Sequence, residues 1–202
     1  MSLSKLLSTK IILASKSPRR KQLLEQMGFN VQIETIDVEE NFPNDLDIDE
    51  VAEYLAIKKC EGYNKVIEDN TILVTSDTIV VIDNIILGKP QNAEQAKDYL
   101  RMLSSNTHKV ITACCLKTSK QIKHFSQQSI VKFKQLSEDE IEYYVNKFAP
   151  FDKAGAYGIQ EWIGTIGIES IQGDYYNIVG FPCNKFFETV KEITASTNNS
   201  QA

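Results

Sequence analysis

The chain has 202 residues, 42% apolar and 24% charged, which is material for one well-filled core or two small lobes and excludes a peptide-sized scaffold. Its 9 Phe and 8 Tyr residues, set against 9 Gly and 5 Pro, exclude low-complexity disorder. With 22 Lys plus Arg against 27 Asp plus Glu, the net charge of −5 excludes a general polyanion binder, so any phosphate site has to be local.

In chain order, IILA at residues 11–14 reads as a short strand. A tight turn and a helix follow, with Leu23, Leu24 and Met27 on one face and Gly28 as the stop. A second strand starts at Val31, an acidic loop around Pro43 and Asn44 follows, and a helix is predicted from about Asp49 to Lys65. TILVTSDTIVVID suits a central strand, closed through the Gly88–Lys89–Pro90 turn. Asn92 then caps a helix to about Leu103. HKVITACCLKT and IKHFSQQSIVKFK alternate like paired long strands around a turn at Ser119 to Gln121, and Ser137 with Glu140 forms a capping box for the next helix. The glycine-rich DKAGAYGIQ comes after Pro150, then two short strands around Gly164 to Ile171 and Tyr176 to Val179. A last helix begins at Pro182 and a frayed tail occupies 194–202. This mixture predicts one α/β domain with a mixed sheet.

Three segments break the ordinary rules. Ser17 and Pro18 suit a helix start, yet Arg19 and Arg20 place two cations against the helix dipole at an expected cost of ~0.3–1 kcal/mol each. A bound anion there would reverse that loss, so the readings are a phosphate seat or two solvated surface arginines. Asp77 lies in an apolar strand, where a carboxylate is solvated, hydrogen-bonded or bound to a cation; the alternative to a functional group is a strand-end Asp bonded to backbone amides. Ser76 and Thr78 add hydroxyls beside it, and Lys89 is either an ammonium supplied by its turn or a solvated turn residue. The acidic run Asp37, Glu39 and Glu40 is either a magnesium site or a solvated loop. His108 and His124 are too scattered for a histidine metal centre, and no nucleophile elbow, dinucleotide fingerprint or Walker loop is present. Tyr54, Tyr143 and Tyr144 read as packing residues. The unpaired spacing of Cys60, Cys114, Cys115 and Cys183 reads as reduced core thiols, and the polar, basic start makes neither a signal peptide nor a membrane span, so a cytoplasmic protein is expected.

Taken in order, LASKSPRR, VEEN, SDTIVV, LGKP, KAGAYGIQ and GDYYNIVGFP resemble the Maf family of nucleoside triphosphate pyrophosphatases across nearly the whole chain. The resemblance implies a single domain over 1–202 with its core at about 10–193, a bent mixed sheet with flanking helices, and an elongated, two-lobed, ITPase-like structure with a central cleft. It implies a Mg2+- or Mn2+-dependent enzyme that splits a nucleoside triphosphate between its α and β phosphates. Asp77 is similar to the family's proton acceptor, and Ser15, Arg19, Arg20, Lys59 and Lys89 to its phosphate-binding residues. Glu40 and Asp77 resemble its metal ligands. Lys58 and Glu39 are the adjacent alternatives to Lys59 and Glu40. Arg19, Thr78 and Gln160 resemble the selectivity residues of the subgroup acting on dTTP and UTP, and the Gln160 amide can both donate to a carbonyl and accept from the ring N–H of uracil or thymine. Ser76 and Phe181 depart mildly from the family pattern. The resemblance also implies a homodimer, modified pyrimidine nucleotides as further substrates, protection against non-standard nucleotides and a part in cell division arrest; the acidic net charge and the lack of an apolar span predict no nucleic-acid or membrane partner. Two other classes stand beside this one: a regulator that senses nucleotides in the same cleft, and a single-strand nucleic-acid binder, which would want a basic groove with interleaved aromatics that this acidic chain does not show.

Overall fold

The computed structural model describes residues 2–199, the side chains of 196–199 excepted, and among the described residues it has seven strands and eight α-helices. The strands are β1 Lys10–Ala14, β2 Asn30–Glu34, β3 Thr71–Ile82, β4 Ile85–Leu87, β5 Thr107–Lys117, β6 Ile122–Phe133 and β7 Ile168–Gln172. They form one sheet in the order β2-β1-β3-β5-β6-β7, with β4 paired to β3. β1 lies parallel to both β2 and β3, whereas β4 on β3 and β7 on β6 are antiparallel, so the predicted mixed α/β sheet is present.

The chain divides into two compact units. The first holds Met1–Asp77, Ala113–Gln127 and Gly180–Ala202. In it, the helix α2 (Pro18–Gln26) buries Leu23 and Leu24, as the spacing predicts. Gly28 ends it at φ +90°, where a Cβ would also press within 3.2 Å of Leu7. The helix α3 (Val51–Glu61) buries Val51, Ala52, Leu55, Ala56 and Cys60, and follows a 3-10 turn at Ile48–Glu50. It ends at Gly62, short of the expected Lys65. A short helix that periodicity did not reveal, α1 (Leu3–Leu7), is capped by the Ser2 hydroxyl and buries Leu6. The closing helix α8 runs Cys183–Asn199, through residues 194–199; the remainder of the expected frayed tail lies outside the described residues. Phe186 of α8 packs edge-on to Phe29 at 5.7 Å between ring centres.

The second unit holds Thr78–Thr112 and Gln128–Val179, around a core that includes Val80, Leu100, Val110, Phe133, Tyr144 and Ile163. Asn92 caps α4 (Ala93–Leu103) through the Gln95 amide at 2.9 Å. Ser137 and Glu140 close the predicted capping box on α5 (Glu138–Phe148). The two strands expected after Gly164 are corrected. Residues Trp162–Gly167 form the helix α6, β7 begins at Ile168, and Tyr175–Val179 form the helix α7. Ile163 and Ile166 sit three apart, as on a helix face, whereas Ile166 and Ile168 sit two apart, as on a strand face, so the short run carries both signals. Thr165 N–H bonds back to the Glu161 carbonyl, and a Cβ on Gly164 would fall 1.8 Å from the Ile159 oxygen, so only glycine fits that helix against the preceding turn. α7 is started by Asp174, whose carboxylate accepts from the Tyr176 amide at 2.8 Å. No helix among the described residues is long and apolar enough to cross a membrane.

Candidate active site

Asp77 stands in the first unit at the end of the β3 residues that belong there, and is 8% exposed. Its carboxylate Oδ1 accepts from the Lys59 ammonium, which also meets Glu40 Oε1 at 2.8 Å. α3 is held to β3 by the Thr75 hydroxyl, which donates to the Ala56 carbonyl at 2.7 Å, and this aims Lys59 at the strand. Asp77 is therefore bound to a cation, one of the arrangements a carboxylate in an apolar strand requires. Burial pushes its pKa up, against the pull of Lys59 and Arg20, while Glu40 adds to the rise.

The adjacent alternatives separate in space. Lys58 donates to the backbone carbonyl of Asn41 at 2.9 Å and to its side-chain oxygen, and Glu39 accepts from the Asn41 amide at 3.1 Å. Lys59 and Glu40 face Asp77's neighbourhood; Lys58 and Glu39 bind Asn41. Both carboxylates on Lys59 present oxygen donors, which fits a hard divalent cation that fills its remaining positions with phosphate oxygens and water. Among the described residues, no group of three His, Cys, Asp or Glu side chains gathers as a ligand set.

Arg20 is not a solvated surface cation. Its Nε donates to the Gly180 carbonyl at 3.0 Å, and one Nη donates to the Ser76 carbonyl at 2.7 Å and to Ser15 Oγ at 3.4 Å. Ser15 Oγ also accepts from the Ser17 amide at 3.1 Å, and Ser17 caps α2 through the Arg20 amide. Burial lowers the Arg20 pKa, opposed chiefly by Asp77. Arg19 follows Pro18 in the same first turn and is half-buried. The first unit thus carries Ser15, Arg19, Arg20, Glu40, Lys59 and Asp77.

Thr78, Lys89 and Gln160 belong to the second unit. The Thr78 and Thr112 hydroxyls lie 3.0 Å apart, and Thr112 Oγ1 donates to the Asn177 carbonyl at 2.9 Å. Asn177 itself, missed in the sequence because Tyr176 to Val179 read as a strand, is fully buried. Its side chain accepts from the Thr112 amide at 3.2 Å and donates to the Val110 carbonyl at 3.0 Å and to Ser129 Oγ at 2.9 Å. Asn177→Leu keeps the branched shape of the side chain but adds bulk and strands those partners, so it is expected to cost about 2–4 kcal/mol and lower Tm by about 4–16 °C. Thermal denaturation checks this, and an unchanged Tm would refute it.

Lys89 is exposed on its turn. The Gly88 carbonyl before it accepts from the Gly155 amide at 3.1 Å, tying that turn to the KAGAYGIQ segment. Gly155 sits at φ +68° with Val80 3.0 Å from where a Cβ would be, a place only glycine fills without strain. Residues 155–159 are buried and Gln160 is exposed at the end of the run. His108 Nε2 lies 2.8 Å from the Tyr157 hydroxyl; burial pushes this imidazole down to about 4, so it is neutral at physiological pH.

Residues 10–193 match a family model described as Maf-like protein. Curated relatives named dTTP/UTP pyrophosphatase include that of Bacteroides thetaiotaomicron, 47% identical over 184 residues, covering 91% of this chain and 95% of the relative. That of Cytophaga hutchinsonii is 46% identical over 193 residues, covering 96% and 88% respectively. That of Porphyromonas gingivalis is 43% identical over 190 residues, covering 93% and 96%. Among solved structures, the Staphylococcus aureus Ham1 protein is similar at a TM-score of 0.49 and 16% identity, over 91% of this chain and 98% of that one. On the extent of the family match and the identity to these relatives over nine-tenths of its length, the chain belongs to the Maf-like protein family.

Proposed function

We propose that this chain is a nucleoside triphosphate pyrophosphatase acting on dTTP and UTP, releasing the monophosphate and pyrophosphate. The observation that carries the reading is the buried Asp77 carboxylate, raised in pKa and held on the Lys59 ammonium beside Glu40 and the Arg20 guanidinium. Such a group is a general base whose proton affinity is shifted toward the working pH, with cations at hand for phosphate oxygens. The relatives' names supply the substrate class.

In this reading Asp77 orients a water toward the α phosphorus and takes its proton. Lys59, Arg19, Arg20 and Lys89 neutralise charge on the phosphates, Ser15 donates a hydroxyl hydrogen bond, and pyrophosphate leaves. Positioning and electrostatics carry the rate. Asp77 and Glu40 would hold a divalent cation, Mg2+ or Mn2+, which supplies Lewis acidity and charge neutralisation at phosphate oxygens. Thr78, Arg19 and Gln160 select the base; the Gln160 amide matches the carbonyl and N–H of uracil or thymine, whereas cytosine presents an acceptor where those bases present the N–H. The same reading extends to modified pyrimidine triphosphates, to removal of non-standard nucleotides, to a part in division arrest, to action in the cytoplasm and to a homodimer.

Pyrophosphate release by the purified chain with Mg2+ or Mn2+, across dTTP, UTP, CTP, dATP and GTP, tests it. Turnover of dTTP and UTP at least about tenfold above CTP in kcat/KM is expected. Preference for another base would discard the selectivity assignment, and tight nucleotide binding without pyrophosphate release would favour a sensor.

A further inference from the structure

Gln160 occupies a corner of a turn whose two ends are tied to the same buried hydroxyl. The Glu161 amide donates to the Gly158 carbonyl at 2.9 Å, which closes a β-turn with Ile159 and Gln160 as its central residues. Ile159 is buried and Gln160 exposed. Tyr144 of α5, with 0% exposure, accepts from the Gly158 amide at 3.0 Å and donates its hydroxyl proton to Glu161 Oε2. A phenol has one proton, and a backbone N–H can only donate, so the direction of both bonds is fixed. The other oxygen of Glu161 meets the Lys153 ammonium at 3.0 Å, and the Lys153 side chain is 9% exposed and further paired with Asp152 at 2.7 Å. A Cβ on Gly158 would lie 2.8 Å from the Glu161 carboxyl carbon, so glycine is what lets the carboxylate fold across the turn.

We infer that Tyr144, Glu161 and Lys153 are positioning residues that fix the turn bearing Gln160 and thereby set the discrimination of uracil and thymine from cytosine. The inference rests on Gln160 reading the base, as proposed above. A glutamine amide presents a donor group and an acceptor oxygen side by side, and rejects cytosine only when both must pair at once with a base held in one place. That demands placement to about 0.5 Å, which an exposed turn tip does not have by itself. The buried hydroxyl and ion pair supply it from the core side, where α5 is already anchored by Ile141 and Val145. With the turn free to shift, the amide makes one good bond to either base, and the penalty against cytosine fades. The phosphate-end residues Asp77, Lys59 and Arg20 are untouched by this change.

Tyr144→Phe tests it by removing both turn bonds while keeping the ring in the core. In this variant the UTP-to-CTP ratio of kcat/KM is expected to fall at least about tenfold, through a raised KM for UTP, with kcat for UTP within about threefold of wild type. Amide exchange at 158–161 is expected to accelerate in the same variant. Glu161→Gln, which keeps an acceptor for Tyr144 and loses the Lys153 charge pair, is expected to give a smaller fall in the ratio and decides the matter should Tyr144→Phe fail to fold. Tyr143→Phe, altering an exposed neighbour that bonds Lys147, is the control and leaves the ratio unchanged. A Tm loss in Tyr144→Phe with an unchanged ratio means the cluster only stabilises the fold, and overturns the inference. A wild-type chain that does not prefer UTP to CTP instead overturns the reading of Gln160, and this inference with it.

Discussion

Asp77→Asn is expected to lower kcat by about 10³-fold while leaving the fold in place. The amide keeps an oxygen for the Lys59 ammonium, and Glu40 still faces that ammonium at 2.8 Å, so the local packing survives. What disappears is the carboxylate proposed as proton acceptor. The wild-type pH profile carries the matching signature. Burial raises the Asp77 pKa above the ordinary 3.8, so kcat/KM is expected to fall on the acid side from a point above that value, by about tenfold per pH unit. In the Asn variant that limb vanishes and the residual rate is flat across the same range. Stability moves in the corresponding sense. Because the pKa is raised by folding, the native chain binds more protons than the unfolded one between the two values, and wild type loses that increment of stability as pH rises through the window. Asp77→Asn does not bury a charge, and its Tm at neutral pH is expected within about 5 °C of wild type. Rates of pyrophosphate release from pH 4 to 9, with thermal melts of both proteins, check this. Near-normal turnover in the variant, or an acid limb that persists in it, would sink the assignment of Asp77 as base.

Local rules carried most of the fold because most boundaries are set locally. Ser17 with Pro18, Asn92, and Ser137 with Glu140 each mark a helix start by a side chain that accepts a nearby amide, and all three operate as their spacing predicts. Gly28 stops α2 because its φ of +90° suits no other residue. The segment from Trp162 to Val179 misled because its signals conflict. Its isoleucines fit either period, its glycines suggested turns, and the capping role of Asp174 is a single hydrogen bond hidden in GDYY.

The candidate site divides along the same line. Asp77 stood out as a charge within an apolar strand, and Arg19 and Arg20 as cations at the wrong end of a helix, both departures visible in a few residues. Choosing Lys59 over Lys58 needed the helix phase of α3 relative to β3, which Thr75 and Ala56 set through one hydrogen bond. Tyr144 read as packing, and it does pack, stacked on Phe148 at 5.1 Å. Its second role depends on Gly158 and Glu161, residues far along the chain whose approach no periodicity encodes. The carbonyl partners of Arg20 are more remote still, since a backbone oxygen leaves no mark on the sequence.

Those carbonyls make Arg20 the residue whose loss reaches furthest. Its planar guanidinium joins the first turn of α2 to the Gly180 carbonyl and to the Ser76 carbonyl immediately before Asp77. Gly180 is in a positive-φ conformation at +113°, which aims that carbonyl and limits the position to glycine. Arg20→Ala withdraws the donor from both oxygens and the partner from Ser15, at an expected cost of about 2–4 kcal/mol or about 4–16 °C in Tm. Arg20→Lys retains the charge, but an ammonium lacks the fork that spans two carbonyls at 3.0 and 2.7 Å, so it is expected to recover less than half of the loss. Activity is expected to fall further than stability, by about 10²-fold or more in kcat/KM for both variants. The Ser76 carbonyl belongs to the residue just before the one that would take the proton, so a shift there moves Asp77 as well as removing a cation proposed to face the phosphates. Melting curves and kcat/KM for dTTP, measured on the two variants below the lower Tm, separate these contributions. A lysine variant with wild-type Tm and wild-type kcat/KM would show that charge alone suffices at this position and that the two carbonyl bonds contribute nothing.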